Sequence, residues 1–250
     1  MIIDELMRKP LPKIPKEIYL SLKSNSITPT QFGDKDDILR SEELQKEAGY
    51  KKLGDGSYIV SMYCPMPNVT PEMIEWWFWW HPQKQERYKV WFPGEHCGIG
   101  YSKKQKEYFA QKQCPKFENN TQYPLEKIGG TLLPLRIDFV SPEEFGFSKS
   151  AMNENGIPLI VCGHVGVFGG LVMHTQMAHI FKKTDDGLYM ISRFWLGDLM
   201  KSSVIRKIFI NEKTARGMAE HCCVEYRNLC EILPILYNEY HNIKQANGKD

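Results

Sequence analysis

The 250-residue sequence lacks the features that mark several common protein classes. It has no CxxC pair, and its seven cysteines, with Cys222 and Cys223 adjacent, argue against a disulfide framework or a structural zinc knot. No apolar run approaches the roughly 20 residues that cross a bilayer, and the N-terminus lacks the charge order of a signal peptide. We therefore expect reduced thiols, a cytoplasmic location and no membrane partner.

Charge and glycine patterns exclude two further classes of partner. The net charge is only +2 and no Lys/Arg cluster stands apart from acidic neighbours, so nucleic acid is not an expected partner. The glycines of residues 163–170 lack both the GxGxxG spacing and a phosphate-loop Lys-Ser/Thr, which argues against a nucleotide site. The hydrophobic fraction of 42% and charged fraction of 25% are typical of a globular chain that can bury a full core.

The first 56 residues predict a small N-terminal region. Residues 1–35 contain four prolines and show no sustained periodicity, which indicates an extended, wrapping arm. Residues 36–48 fit one short amphipathic helix that ends at Gly49, and residues 54–56 form a Gly-Asp-Gly turn. We place the boundary with the main domain, residues 57–250, directly after this turn.

An unusually aromatic helix is predicted after Thr70. Thr70, Pro71 and Glu72 supply a hydroxyl cap, a first-turn proline and an acid near the helix dipole. Five large aromatic residues follow in succession at positions 76–80, so the helix is apolar around most of its circumference. Two interpretations stay open, a core helix buried on several sides or the wall of an aromatic pocket.

The second half of the sequence predicts several antiparallel strands followed by one long helix. The expected strands are residues 57–63, 131–140, 157–162, 170–181 and 188–195, the last two joined by a hairpin at Asp185-Asp186-Gly187. Residues 213–237 show helical periodicity with Pro234 near the end, where we expect a kink. This order predicts an α+β fold in which a curved sheet grips the terminal helix.

Two polar residues, His221 and Glu225, stand on or beside the buried stripe of that helix. They are four residues apart and therefore share a face. A buried carboxylate needs a compensating positive charge, and a neutral imidazole beside it suggests a metal ion. The alternative is an ordinary hydrogen-bonded His–Glu pair. The residues alone leave the further ligands open among His81, His96, His164, His174 and His179.

A set of spaced motifs resembles the diacetylphloroglucinol hydrolase family, which includes phloretin hydrolase. The resemblance runs from about residue 57 to residue 240 and rests on many positions rather than on one motif. Its motifs are Trp76-Trp77, Trp80-His81, Arg87-Tyr88-Lys89, Trp91-x-Pro93-x-x-His96, Glu126-x-x-Gly129-Gly130, Ser192-Arg-Phe-Trp195-x-Gly197, His221-x-x-x-Glu225 and Leu233-Pro234-x-Leu236-Tyr237.

This resemblance implies a fold, a metal and an activity. The fold would be the helix-grip fold of the birch pollen allergen and of START proteins, with residues 57–250 as the catalytic domain. One Zn²⁺ would be held by His96, Glu126, His221 and Glu225. The enzyme would hydrolyse the carbon–carbon bond between a polyhydroxylated ring and its acyl group, as in acetylphloroglucinols or phloretin.

The same resemblance suggests which side chains meet a phenolic ketone substrate. Tyr88 matches a position proposed to bind substrate hydroxyls, and Trp77, Trp80 and Trp91 are expected to contact the substrate. His179 and, after it, His164 are candidate acids or hydroxyl partners, although each can equally be a structural histidine.

One departure from the family pattern and several alternatives remain. Ile99 replaces a polar residue implicated in binding an acetyl group, which favours a substrate with one acyl group. A helix-grip binding protein for aromatic ligands without activity, and a metal-dependent lyase or isomerase, are the alternatives. The sequence leaves open whether the chain forms a homodimer.

Overall fold

The computed structural model describes residues 2–24 and 27–241, which contain one antiparallel sheet of nine strands. The strands are β1 (Gly49–Lys52), β2 (Tyr58–Pro67), β3 (His96–Gly98), β4 (Asn120–Gln122), β5 (Leu125–Ile128), β6 (Thr131–Val140), β7 (Leu159–Val167), β8 (Val172–Lys183) and β9 (Gly187–Leu196). Their order across the sheet is β1-β2-β9-β8-β7-β6-β5-β3, and β4 also pairs with β6. The predicted strands and the hairpin between β8 and β9 are confirmed.

Most helices of the described part are short, and one is long. They are α1 (Ile2–Met7), α2 (Lys16–Ser24), α3 (Asp36–Arg40), α4 (Glu42–Gln45), α5 (Pro71–Trp80), α6 (Gln85–Lys89), α7 (Lys106–Ala110), α8 (Pro142–Phe145), α9 (Lys149–Glu154), α10 (Ser203–Phe209) and α11 (Glu212–Tyr240). Among these described helices, none is long and apolar enough to cross a membrane.

The long helix α11 lies against one face of the sheet and forms the main core with it. It has 29 residues, begins at the cap Asn211, whose side chain accepts from Thr214 N, and continues through Pro234. Its apolar stripe, including Cys222, Leu229 and Leu236, is fully buried against that core. A sheet wrapped around a long C-terminal helix is the helix-grip arrangement, so the predicted α+β fold class is confirmed.

The other face of the sheet carries a second, smaller core. Strand residues such as Ile160 and Trp195 point to this side and pack against Ile38 of α3 and Phe145 of α8. Both faces are therefore covered, which explains why β7 and β9 are buried along nearly their whole length.

The N-terminal prediction needs correction. Residues 1–35 were expected to form an extended arm, but the described part of this segment contains α1 and α2. Each of these helices buries only two side chains, too few for a visible period in so short a segment. Residues 36–48 form two helices rather than one, because Ser41 leaves α3 in an extended conformation and caps α4. The expected boundary after residue 56 falls between β1 and β2, which pair within the same sheet.

Candidate metal centre and cavity

Four polar side chains meet where the edge of the sheet approaches α11. His96 on β3 lies opposite Glu126 on β5 in the strand pairing. His221 and Glu225 face them from successive turns of α11, as their spacing predicts. All four residues are buried, with exposed fractions between 2% and 9%.

The distances within this group fit the coordination shell of a single ion. The Nε2 atoms of His96 and His221 lie 3.2 Å apart. Glu225 Oε2 lies 3.4 Å from His96 Nε2 and 3.7 Å from His221 Nε2. Glu126 Oε2 lies 3.7 Å from His221 Nε2. His96, His221 and Glu225 thus offer ligand atoms within 4.8 Å of one another, with the Glu126 carboxylate beside them.

Backbone carbonyls fix the proton positions on both imidazoles. His96 Nδ1 lies 3.3 Å from the carbonyl oxygen of Tyr88, and His221 Nδ1 lies 3.1 Å from that of Lys127. A carbonyl oxygen only accepts, so each Nδ1 carries the hydrogen and donates it. Each Nε2 then presents a lone pair to the centre of the group.

Burial keeps these imidazoles neutral and disfavours the charge on Glu225. Desolvation lowers the pKa of His96 and lowers that of His221 to about 4. Desolvation also raises the pKa of Glu225 to about 8, although His221 opposes this shift. Two neutral nitrogens and two carboxyl groups thus converge, and without a cation the proton that Glu225 keeps at neutral pH is the donor among them. A divalent cation can replace this proton, and two histidines with two carboxylates form a fitting zinc shell.

Tyr88 completes the group. Its hydroxyl donates to Glu126 Oε1, and its ring is stacked between the imidazoles of His96, at 4.2 Å, and His81, at 5.5 Å. Burial, followed by the Glu126 charge, raises the pKa of Tyr88 well above its usual value, so the hydroxyl keeps its proton. The neutral Tyr88 hydroxyl is therefore the donor that orients the Glu126 carboxylate.

Two hydrogen-bonded anchors hold α11 against the segment that carries His96. Trp91 Nε1 donates to the carbonyl oxygen of Glu225 at 3.0 Å. Asn228 Nδ2 donates to the carbonyl oxygens of Val90, at 3.1 Å, and Trp91, at 2.7 Å. These bonds set the position of His221 and Glu225 relative to His96.

The polar group forms part of the wall of a cavity between the sheet and α11. Apolar side chains make up most of the remaining wall. The wall residues are Phe78, His81, Tyr88, Trp91, Gln122, Pro124, Glu126, Ile128, Leu133, Leu135, Ile137, Phe139, Val165, His174, Thr175, Met177, His179, Phe194, Leu196, Ile210, Thr214, Met218, His221 and Glu225. A mostly apolar cavity with a few convergent polar groups is typical of a small-molecule site.

Three of the nominated substrate contacts line this cavity. Tyr88 and Trp91 lie beside the histidines, and His179 lies farther along β8. The ring of His179 is 4.8 Å from Tyr226, and its Nδ1 pairs with Ser192 Oγ at 2.7 Å. Burial lowers the pKa of His179 to about 3, so it is a neutral imidazole.

Trp77 and Trp80 do not line the cavity. Both are buried behind its wall, where Trp77 packs edge-on against Trp91, and Trp80 stacks on Trp76 under the Arg87 guanidinium. Of the two interpretations of α5, the core helix fits better, because Phe78 alone among its aromatic residues reaches the cavity. Ile99 is also buried outside the wall, so its apolar character does not alter the cavity surface.

Of His164 and His174, only His174 reaches the cavity. His164 faces the other side of the sheet, where its ring stacks on Phe145 at 5.5 Å, so the structure does not bring it to the site. Regular alternation of side chains along β8 would place His174 with Gln176, on the face opposite His179. His174 lines the cavity instead, because the register of β7 and β8 shifts at this point and leaves it without a paired residue.

Gln122 was missed as a wall residue, whereas Phe78 belongs to the aromatic helix that was considered as a pocket wall. Gln122 is buried and donates to the carbonyl oxygen of Phe78 at 3.3 Å. It lies in β4, a strand of only three residues. No periodicity in so short a strand separates a buried glutamine from an exposed one.

Fold and site together define a helix-grip protein with a candidate metal centre in its cavity wall. Residues 29–238 match the DAPG hydrolase PhiG domain family, and the chain belongs to this family. It is 29% identical over 240 residues to 2,4-diacetylphloroglucinol hydrolase of Pseudomonas protegens, covering 86% of this chain and 75% of that protein. It is 28% identical over 244 residues to phloretin hydrolase of Eubacterium ramulus, covering 92% of this chain and 86% of that protein.

Solved structures match more distantly. Protein Ms6760 from Mycobacterium smegmatis has 9% identity and a TM-score of 0.40, over 72% of this chain and 91% of that one. Ara h 8.0201 has 8% identity and a TM-score of 0.34, over 68% of this chain and 98% of that one.

Proposed function

We propose that this protein is a zinc-dependent hydrolase of acylphloroglucinols, which cleaves the bond between the ring and the acyl carbon. The observation that carries the proposal is the convergence of His96, Glu126, His221 and Glu225 in the wall of an apolar cavity. The family and the activities named for its relatives support hydrolysis of a phenolic ketone. A carrier of aromatic ligands would have no need to bury two carboxylates beside two neutral histidines.

The reaction requires one water molecule and one proton delivery to carbon. Water's oxygen ends on the acyl carbon, which leaves as a carboxylic acid, while the ring carbon keeps the bonding electrons and takes up a proton. Ring hydroxyls make this departure feasible, because a phenol that tautomerises protonates the ring carbon and leaves as an enolate-like fragment. Zinc, when bound, supplies Lewis acidity toward a carbonyl oxygen and toward water.

The cavity's own side chains orient the ring and deliver the proton. The Tyr88 hydroxyl donates to Glu126 and keeps a lone pair that can accept a hydrogen bond from a ring hydroxyl. His179 offers Nε2, since Nδ1 is paired with Ser192, so this neutral imidazole can accept a hydrogen bond or a proton from a ring hydroxyl and return that proton to the ring carbon. The apolar wall excludes bulk water from the reacting carbons.

Metal content and product analysis test this proposal together. We expect purified protein to bind about one zinc per chain and to convert phloretin to phloroglucinol and a free acid. His221→Ala and Glu225→Ala should lose both properties, whereas Glu231→Ala, at an exposed position of the same helix, should keep both. Metal-free protein that binds phloretin without cleaving it would establish a carrier. A product of unchanged mass would establish an isomerase.

A further inference from the structure

His174 is an unexplained polar group in the cavity wall, and the local backbone places it there. In the β7–β8 pairing Val165 lies opposite Thr175 and Gly166 lies opposite Met173, so His174 is the extra residue of a β-bulge. Gly166 makes this bulge feasible, because a Cβ at this position would lie 2.5 Å from Met173 Sδ and 2.7 Å from the Val172 carbonyl oxygen. Without the bulge, His174 would share the outward face of Gln176.

The His174 ring is held in place, with one nitrogen left for a ligand. Its Nδ1 pairs with Thr175 Oγ1 at 2.6 Å, and the Thr175 side chain is itself buried and lines the cavity. Burial lowers the pKa of His174 to about 4, so the ring is neutral. A neutral imidazole next to a hydroxyl suits an uncharged hydroxyl group rather than a carboxylate, which would call for a cation.

This polar pair lies across the cavity from the candidate metal centre. Glu126 is on β5 and His174 is on β8. These strands are three spacings apart in the sheet, a lateral separation of about 14 Å between the strands. The wall between them is apolar and includes Leu135 of β6 and Val165 of β7. His179 lies nearer to Tyr226 of α11, about 13 Å from Thr175 along the strand.

A ligand that fills this space needs a polar ring at the metal, an apolar arm and a second polar group at the far end. We propose that His174 and Thr175 form a subsite for a hydroxyl group at the end of the acyl arm. The cavity then selects acylphloroglucinols whose arm ends in a hydroxylated aromatic ring over those with a short acetyl arm. This inference rests on the proposed function for the identity of the reacting ring.

The selectivity between phloretin and its analogue without the hydroxyl on the arm tests the subsite. We expect the wild type to favour phloretin in kcat/KM by about five- to tenfold, the effect of one hydrogen bond between neutral groups. His174→Leu and Thr175→Val should bring this ratio close to one, and monoacetylphloroglucinol, which lacks the arm that reaches the subsite, measures any general loss of activity in each variant. His174→Gln places an amide near the position of Nε2 and should restore part of the preference.

Gln176→Leu is the matched control, because Gln176 lies on the same strand but faces the other side, where it donates to Asp198. It should keep the wild-type ratio. A wild-type ratio of one, or an unchanged ratio in both His174→Leu and Thr175→Val, would overturn the subsite. If the zinc-loaded wild type cleaves none of the three compounds, the proposed function fails. In that case the ratio of the equilibrium affinities for phloretin and its analogue, in the wild type and the variants, tests the subsite independently.

Discussion

His96 and His221 approach each other through nitrogens that both carry lone pairs. Their Nε2 atoms are 3.2 Å apart, and each ring's only hydrogen is donated to a backbone carbonyl on the other side. Such a contact is unfavourable unless the Glu225 proton or a cation lies among the two nitrogens and the neighbouring carboxyl groups. The hydrogen bonds behind the two imidazoles therefore shape the candidate metal site as much as the candidate ligands do.

Removal of the Tyr88 hydroxyl should weaken metal binding without removing a ligand. Tyr88→Phe leaves Glu126 without its donor, and loss of such a supporting hydrogen bond typically costs about 10–100-fold in metal affinity. Competition with a chromophoric zinc chelator measures this affinity. Tyr50→Phe is the matched control, since Tyr50 also donates to a glutamate, Glu212, away from the cavity. Equal affinities for all three proteins would contradict the supporting role of Tyr88.

The stabilisation given by zinc should increase with pH. In the metal-free protein burial raises the pKa of Glu225 to about 8, above its ordinary value of 4.5. The folded state therefore holds this proton more tightly than the unfolded chain does, and the resulting stability is lost as pH rises from about 4.5 through 8. A bound cation replaces the proton, so the zinc-induced rise in Tm should be larger at pH 8 than at pH 6.

Thermal unfolding of metal-free and zinc-loaded protein at pH 6, 7 and 8 measures this difference. Glu225→Gln is the control because its amide does not titrate, and the metal-free variant should lose less Tm over this range. A zinc-induced shift that is constant with pH in the wild type would contradict the prediction.

Asn228 should contribute strongly to stability although its side chain bonds none of the four candidate metal ligands. Its buried amide donates to the carbonyl oxygens of Val90 and Trp91, and Asn228→Ala leaves both without this donor. We expect a loss of about 1–3 kcal/mol in the free energy of unfolding, measured by urea titration. Asn238→Ala, at an exposed position of α11, should change it by less than about 0.5 kcal/mol. Equal effects of the two substitutions would argue against the anchor.

Gly217→Ala should destabilise the protein even though alanine is the better helix former. A Cβ at Gly217 would lie 2.7 Å from Gly129 Cα and 2.9 Å from Gly129 N, so α11 must shift away from the turn between β5 and β6. We expect a cost of about 1–3 kcal/mol and weaker zinc binding, because His221 lies one turn farther along the helix. A stability equal to or above that of the wild type would show that the contact is not restrictive.

Long elements with clear periods were predictable from the sequence. The strands β6, β8 and β9 and the turn signal between the last two were predicted, and the cap of α5 is the Thr70 hydroxyl that the sequence indicated. Likewise, the spacing of His221 and Glu225 was enough to predict a shared, buried helix face. These features are set by residues close together in the chain, so a sequence pattern is enough to predict them.

Features that depend on distant contacts were not predictable in the same way. His96 and Glu126 meet only because β3 pairs with β5, so the resemblance to a family, not the residue pattern, indicated them. His174 reaches the cavity only because a one-residue bulge reverses strand alternation, and the sequence pattern does not reveal this bulge. Trp77 and Trp80 were expected at the substrate, but the depth of a fully apolar helix depends on what packs around it.

The arrangement of the six tryptophans gives the protein an optical property. Trp76, Trp80, Trp77 and Trp91 form a chain of neighbouring rings, and its last member lies in the cavity wall. Trp195 lies on the opposite side of the sheet, in the second core. Excitation absorbed along the chain can pass to Trp91, so a bound compound that absorbs in the near ultraviolet quenches several indoles at once. The fall in total indole emission then follows occupancy of the cavity in unlabelled protein.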